Sequence, residues 1–258
     1  MRRKTTAVRI GNVVLSSEEP VLVQSMLNTS TREVDACVEQ AIRIIEAGGR
    51  LVRITAPGVK EAEMLGEIHR RLRERGYTTP ISADIHFVAE AASVAARYVE
   101  KVRINPGNFA DKRATFKKLT YTDEEYAAEL EILRQKFTEF LEVCRQYGTA
   151  VRIGTNHGSL SDRIMSRYGD TPAGMVEATM EYLRVCQACD FKDVVISLKS
   201  SDCRTMVDAV RLLVEKMEAE GMCYPLHLGV TEAGEGEDGR IRSAVGIGTL
   251  LNEGIGDT

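Results

Sequence analysis

Three Val-Arg-Ile triplets stand at 52–54, 102–104 and 151–153, and a fourth cation, Lys199, closes the β-branched run 193–199. An arginine set between β-branched neighbours has the pattern of a buried barrel strand, whose two faces meet mostly apolar surroundings. An unpaired guanidinium there costs several kcal/mol, so each one needs a carboxylate or a bound anion. Asp84 and Glu232 cannot together neutralise Arg53, Arg103, Arg152 and Lys199. A phosphate ester with two or three charges would. At an effective dielectric of about 20, a unit charge pair roughly 4 Å apart gains about 4 kcal/mol, and guanidinium forks add bidentate geometry. A structural salt bridge is the alternative for any single arginine; for the set of four, the pattern predicts an anion site.

Other polar residues gather at the ends of the same β-branched runs. They include Gln24-Ser25-Met26-Leu27-Asn28-Thr29, Asp84-Ile85-His86, Asn105-Pro106-Gly107-Asn108, Asn156-His157-Gly158-Ser159, Ser200-Ser201-Asp202 and Thr231-Glu232-Ala233-Gly234. The two Asn-x-Gly turns can bring backbone N–H groups close to an oxygen-rich ligand, although each taken singly is an ordinary loop. His86, His157 and His227 fall at or near run ends, while His69 lies in a helical pattern. Asp84, His86 and His227 have the residue types of a metal site, but the surrounding cations would repel a divalent ion, so hydrogen bonding to substrate oxygens is the expected use. Cys186 and Cys189 form a CxxC on a helical run without a second pair or a preceding strand, and a packed pair of core side chains is expected.

What must position these residues is a repeating unit. Residues 5–16 predict two short strands around Gly11-Asn12, an N-terminal β-hairpin. Runs at 21–26, 51–56, 81–87, 101–105, 150–155, 193–199 and 225–231 then alternate with helical patterns such as 33–47, 61–75 and 205–220. Val34, Cys37, Val38, Ala41, Ile44 and Ile45 keep i, i+3, i+4 spacing and put one apolar face on a helix. Strand-helix alternation means parallel strands with crossover helices. In a (β/α)8 barrel the active site is built from the C-terminal strand ends, where the polar residues cluster. The expected fold is a TIM-type barrel, truncated before its eighth strand, spanning 1–258. The missing strand is expected to leave the first and seventh strands as raw edges, which oligomerisation could cover. The connection at 109–149 is the longest, and its segment 117–137 predicts a charged, solvated outer helix.

Composition excludes several classes. The chain has 258 residues, 43% hydrophobic and 28% charged, with a formal net charge of −4, which disfavours a general nucleic-acid binder. No apolar stretch is long enough to cross a membrane, and the basic start Met1-Arg2-Arg3-Lys4 lacks a following apolar segment. Six scattered cysteines predict reduced thiols in a cytoplasmic protein.

The segments Val23-Gln24-Ser25-Met26, Ala83-Asp84-Ile85-His86-Phe87, Arg103-Ile104-Asn105-Pro106-Gly107-Asn108, Arg152-Ile153-Gly154, Asn156-His157-Gly158-Ser159-Leu160, Ser200-Ser201-Asp202, His227 to Gly234 and Ser243 to Gly248 resemble those of the 4-hydroxy-3-methylbut-2-enyl diphosphate synthase family, in order and with family spacing. The resemblance runs from about residue 2 to the last residue. It implies an oxidoreductase of non-mevalonate isoprenoid biosynthesis that opens 2-C-methyl-D-erythritol 2,4-cyclodiphosphate reductively. It also implies a [4Fe-4S] cluster on a separate C-terminal domain absent from this chain, ferredoxin or flavodoxin as electron donor, and a homodimer. Carried over by position, Arg53, Arg103, Arg152 and Lys199 would grip the diphosphate. Asp84, His86, Asn105, Asn156 and Thr231 would hydrogen-bond substrate oxygens, and Glu232 would be the acid/base group beside the carbon skeleton. None of the six cysteines matches a cluster-ligand position, and the chain alone is expected to be inactive. The long connection resembles the larger, three-domain form of the family.

Two other readings differ in class. One is a non-redox phosphate-ester barrel enzyme, a pterin-dependent transferase or a Schiff-base aldolase with Lys199 as the amine. The other is a non-catalytic interaction domain, against which the convergence of polar strand ends argues.

Overall fold

The computed structural model describes residues 1–111 and 120–258. Strands β1 (Val8–Ile10) and β2 (Val13–Leu15) pair antiparallel as the expected hairpin. Strands β3 (Gln24–Met26), β4 (Leu51–Thr55), β5 (Ile81–Asp84), β6 (Lys101–Ile104), β7 (Ala150–Asn156) and β8 (Val194–Lys199) form one parallel sheet in sequence order. Around it run α1 (Val34–Glu46), α2 (Val59–Glu74), α3 (Ala89–Ala95), α4 (Pro106–Phe109), α5 (Asp123–Tyr147), α6 (Asp162–Tyr168), α7 (Pro172–Ala188), α8 (Cys203–Ala219) and α9 (Gly236–Asn252). The alternation and the sheet are those of a TIM-type barrel.

The strands alternate strictly, and this sorts the Val-Arg-Ile triplets. Val52, Ile54, Val102, Ile104, Val151 and Ile153 pack with helix residues such as Leu65, Ile68, Phe137, Leu141 and Met180 in the main core. Burying each of these side chains contributes about 1.5–3 kcal/mol. With odd and even residues on opposite faces, Arg53, Arg103 and Arg152 are forced inward. Below them, at the N-terminal end of the barrel, Leu51, Ala150 and Val195 form a second apolar cluster with Leu22 and with Val8, Ile10, Val13 and Leu15 of the hairpin. The hairpin thus plugs the bottom beneath the charged interior.

The seventh run, expected as a strand over 225–231, is a single parallel bridge between Ile196 and Leu226. Two hydrogen bonds hold it, Ile196 N–H to the Pro225 carbonyl (3.0 Å) and His227 N–H to the Ile196 carbonyl (2.8 Å). Its far side meets the last residues. Leu228 N–H donates to Thr258 O (2.8 Å), Asp257 N–H to Leu226 O (2.9 Å) and Leu22 N–H to Asp257 O (2.9 Å). The edges expected to be raw are therefore bridged at their lower ends by residues 257–258. The expected helix at 117–137 is found as α5, opened at Thr122 by a capping box with Glu125; its first residues, 117–119, lie outside the described residues.

Candidate anion-binding site

The parallel register sets Thr55 beside Asp84, Asp84 beside Arg103, and Arg103 beside Arg152, a row of inward side chains across four strands. Asp84, 0% exposed, is the carboxylate they share. Arg53 Nη2 donates to its Oδ2, Arg103 Nη1 to its Oδ1 at 3.2 Å, and Arg152 Nη2 lies 3.7 Å from Oδ1. His86 completes the group: Arg103 donates to its Nδ1 (3.0 Å), so its Nε2–H donates to Asp84 (3.0 Å). Burial opposes ionisation of Asp84, but the His86 hydrogen bond and the three guanidiniums hold its carboxyl well below the usual carboxylate range.

Arg103 Nη2 also donates to the Gly154 carbonyl (2.7 Å), and Arg152 Nη1 to Ser197 Oγ (2.9 Å). Gly154 is glycine for a steric reason, because a Cβ there would lie 2.5 Å from Arg103 Nε. Gly229 does the same for Lys199, whose Nζ would sit 2.9 Å from an added Cβ. Lys199 and Arg53 line a cavity of about 290 Å³ with Gln24, Ser25, His227 and Thr258. Burial, and then repulsion from Arg152, Arg53 and Arg103, pushes the Lys199 ammonium well below the lysine range. His227 is likewise pushed down by burial and by Lys199, and its Nδ1 accepts from Gln24 Nε2 (3.0 Å).

One carboxylate therefore faces three guanidiniums and a depressed lysine. Arg163 shows the contrast: it is 1% exposed, yet donates to two carboxylates, Glu181 (2.6 Å) and Asp111 (2.9 Å). That arginine is structural. The barrel set has more positive charge than its surroundings neutralise: Arg53, Arg103 and Arg152 share the single carboxylate of Asp84, whereas Arg163 alone meets two.

The remaining expected residues are less tightly gathered. Asn105 caps α4, accepting from Gly107 N–H (3.3 Å), and donates to Ser159 Oγ (2.9 Å), so its amide holds the turn. Asn156 pairs in register with Lys199 and is half-buried. Thr231 N–H donates to the Ser200 carbonyl (3.1 Å), bringing the turn that follows it to the mouth. Glu232 is exposed, with φ +52°, a left-handed backbone that costs a non-glycine residue about 1–3 kcal/mol and that clusters at functional sites. Sequence reasoning missed Lys101, which lies two residues before Arg103 and on the same face; that i, i+2 spacing was the available signal. No group of three His, Cys, Asp or Glu side chains that could hold a metal occurs among the described residues. Cys37, Cys144 and Cys186 are buried, and Cys189, Cys203 and Cys223 are free thiols elsewhere, so the residues present do not fit an iron-sulfur cluster.

Fold and site together define a parallel (β/α) barrel whose interior sets three guanidiniums around one buried carboxylate. The chain belongs to the GcpE TIM-barrel domain family, whose sequence model matches residues 5–258. It is 63% identical over 257 residues to the 4-hydroxy-3-methylbut-2-en-1-yl diphosphate synthase (flavodoxin) of Parabacteroides distasonis, covering 100% of this chain and 42% of that protein. To the chloroplastic 4-hydroxy-3-methylbut-2-en-1-yl diphosphate synthase (ferredoxin) of Arabidopsis thaliana it is 52% identical over 258 residues, covering 35% of that protein. The chain thus spans less than half the length of the curated relatives it matches. Among solved structures, the N-acetylneuraminic acid synthetase of Leptospira borgpetersenii superposes with a TM-score of 0.55 at 11% identity, over 95% of this chain and 77% of that one. The type I 3-dehydroquinate dehydratase of Clostridium difficile gives 0.53 at 9%, over 88% and 81%. These two likenesses concern the barrel fold alone.

Proposed function

We propose that this chain is the substrate-binding barrel of an oxidoreductase that converts 2-C-methyl-D-erythritol 2,4-cyclodiphosphate to 4-hydroxy-3-methylbut-2-enyl diphosphate. The observation that carries the reading is the sharing of one buried carboxylate, Asp84, by three guanidiniums beside the partly buried Lys199. Such a set is costly alone and favourable around a diphosphate. Arg53, Arg103, Arg152 and Lys199 hold the diphosphate oxygens. Asp84 and His86 fix the guanidiniums and, with Asn105, Asn156 and Thr231, orient the substrate's oxygens. Glu232, on its strained turn at the mouth, moves a proton at the carbon skeleton. The names of the relatives support flavodoxin or ferredoxin as electron donor. On this reading a [4Fe-4S] cluster, held on a C-terminal domain outside this chain in a cytoplasmic homodimer, would supply the two electrons of the ring opening. No helix among the described residues is long and apolar enough to cross a membrane.

Calorimetric titration of the chain with the cyclodiphosphate tests the reading. Binding should occur, and Lys199→Ala and Arg103→Ala should each weaken it by about 10-fold or more. Affinity untouched by both changes would overturn it.

A further inference from the structure

Lys101 opens β6 one layer below Arg103, and the register seats it between Ser82 of β5 and Ala150 of β7. Its exposure is 0%, and its Nζ has no hydrogen-bond partner among the described residues. The hydroxyl of Ser82 beside it, also 0% exposed, has none either. Nε and Nη2 of Arg152, one strand on, are in the same condition. The charged or titratable groups that face Lys101 are Arg53 on β4, Asp84 on β5, Arg152 on β7 and Lys199 on β8, with His227 beyond. Three are cations, and the carboxylate is already shared by three guanidiniums. A methionine would fill the same space without the cost of burying an amine. An amine kept among cations gains a compensating charge only when an anion arrives in the layer above.

We propose that Lys101 is a positioning residue of the anion site, an amine in the layer beneath that becomes an ammonium and adds positive charge under the inner phosphate when a polyanion docks against Arg53, Arg103, Arg152 and Lys199. This rests on the polyanion reading above and names a member of the same site that carries no direct substrate contact. Burial, then repulsion from Arg152 and Arg53, holds the Lys101 ammonium well below the lysine range, which favours the neutral amine in the free chain. A docked polyanion reverses the local field. The amine then takes a proton from solvent, so binding and proton uptake are linked.

The test is titration calorimetry with the cyclodiphosphate, and with inorganic pyrophosphate as a simpler probe, in two buffers of different ionisation enthalpy. Wild type, Lys101→Met, Lys101→Gln and Lys199→Ala are compared. The expected result is that Lys101→Met binds about 10- to 100-fold more weakly and takes up about one proton fewer than wild type. Wild-type affinity and wild-type proton uptake in Lys101→Met, with binding still weakened by Lys199→Ala, would overturn the role of Lys101 and leave the anion site standing. Failure of wild type to bind either probe would overturn the anion site itself. Should Lys101→Met not fold, Lys101→Gln gives the same comparison, and zero proton uptake by wild type on binding counts against the proposal without any variant.

Discussion

Asp84 sits where three guanidiniums need it, and the geometry around it makes single-residue effects directional. Gly154→Ala would push a methyl to 2.5 Å from Arg103 Nε and 3.2 Å from Ser197 Oγ, moving two anchors of the row at once. Diphosphate affinity should fall by about 10- to 100-fold, with only a modest loss of stability, as read by calorimetry and thermal denaturation. The pH dependence follows from Lys199, Lys101 and His227, all pushed down in the fold by burial and cationic neighbours. A cationic group depressed in the native state is protonated more readily in the unfolded chain. The stability of the free chain should therefore rise as pH rises between the depressed native values and the ordinary lysine and histidine values. Bound diphosphate favours the protonated forms, so its affinity should decline over the same rise. Thermal melts across pH should show the free chain's Tm rising while the increment added by pyrophosphate shrinks; an increment that stays constant would refute the charge argument.

At the scale of elements, the barrel strands are built as apolar-out, charged-in ladders standing on a hairpin plug. Ile10 is 0% exposed and packs in the lower cluster with Leu51, Ala150 and Val195. Ile10→Ala should destabilise by about 2–4 kcal/mol in urea titration while leaving diphosphate affinity of the folded chain unchanged, because the charged layer lies above the plug. The capping box of α5 is separable in the same way. Thr122 Oγ1 accepts from Glu125 N–H (3.2 Å), and Glu125 Oε2 accepts from Thr122 N–H (3.0 Å). Loss of a cap of this kind costs about 1 kcal/mol, so Thr122→Ala should lower stability by that amount and no more.

Across the whole molecule, the seam between the first and last barrel segments depends on Asp257, which is 2% exposed. Its Oδ1 accepts from Arg2 Nη2 (2.8 Å) and its Oδ2 from Leu226 N–H (2.8 Å), tying the N-terminal strap and the seventh segment together. Asp257→Ala should cost roughly 3 kcal/mol and expose the amides of Leu22, Leu226 and Leu228 to fast hydrogen exchange, with the opposite side of the barrel still protected.

The sequence by itself determined the parallel barrel, the hairpin and the inward arginines, because those follow from local periodicity: a β-branched residue on either side of Arg53, Arg103 and Arg152 leaves the guanidinium one face to occupy. It did not determine that Asp84 would serve three of them, that Asn105 would hold a turn through Ser159, or that Lys101 would lie unpartnered beneath. Nor did it reveal that the run at 225–231 reduces to one bridge with residues 257–258 beside it. Those outcomes depend on register between strands 20 to 50 residues apart in the chain, and register is a tertiary quantity: sliding one strand by two residues keeps every hydrophobic pattern and changes every charged neighbour.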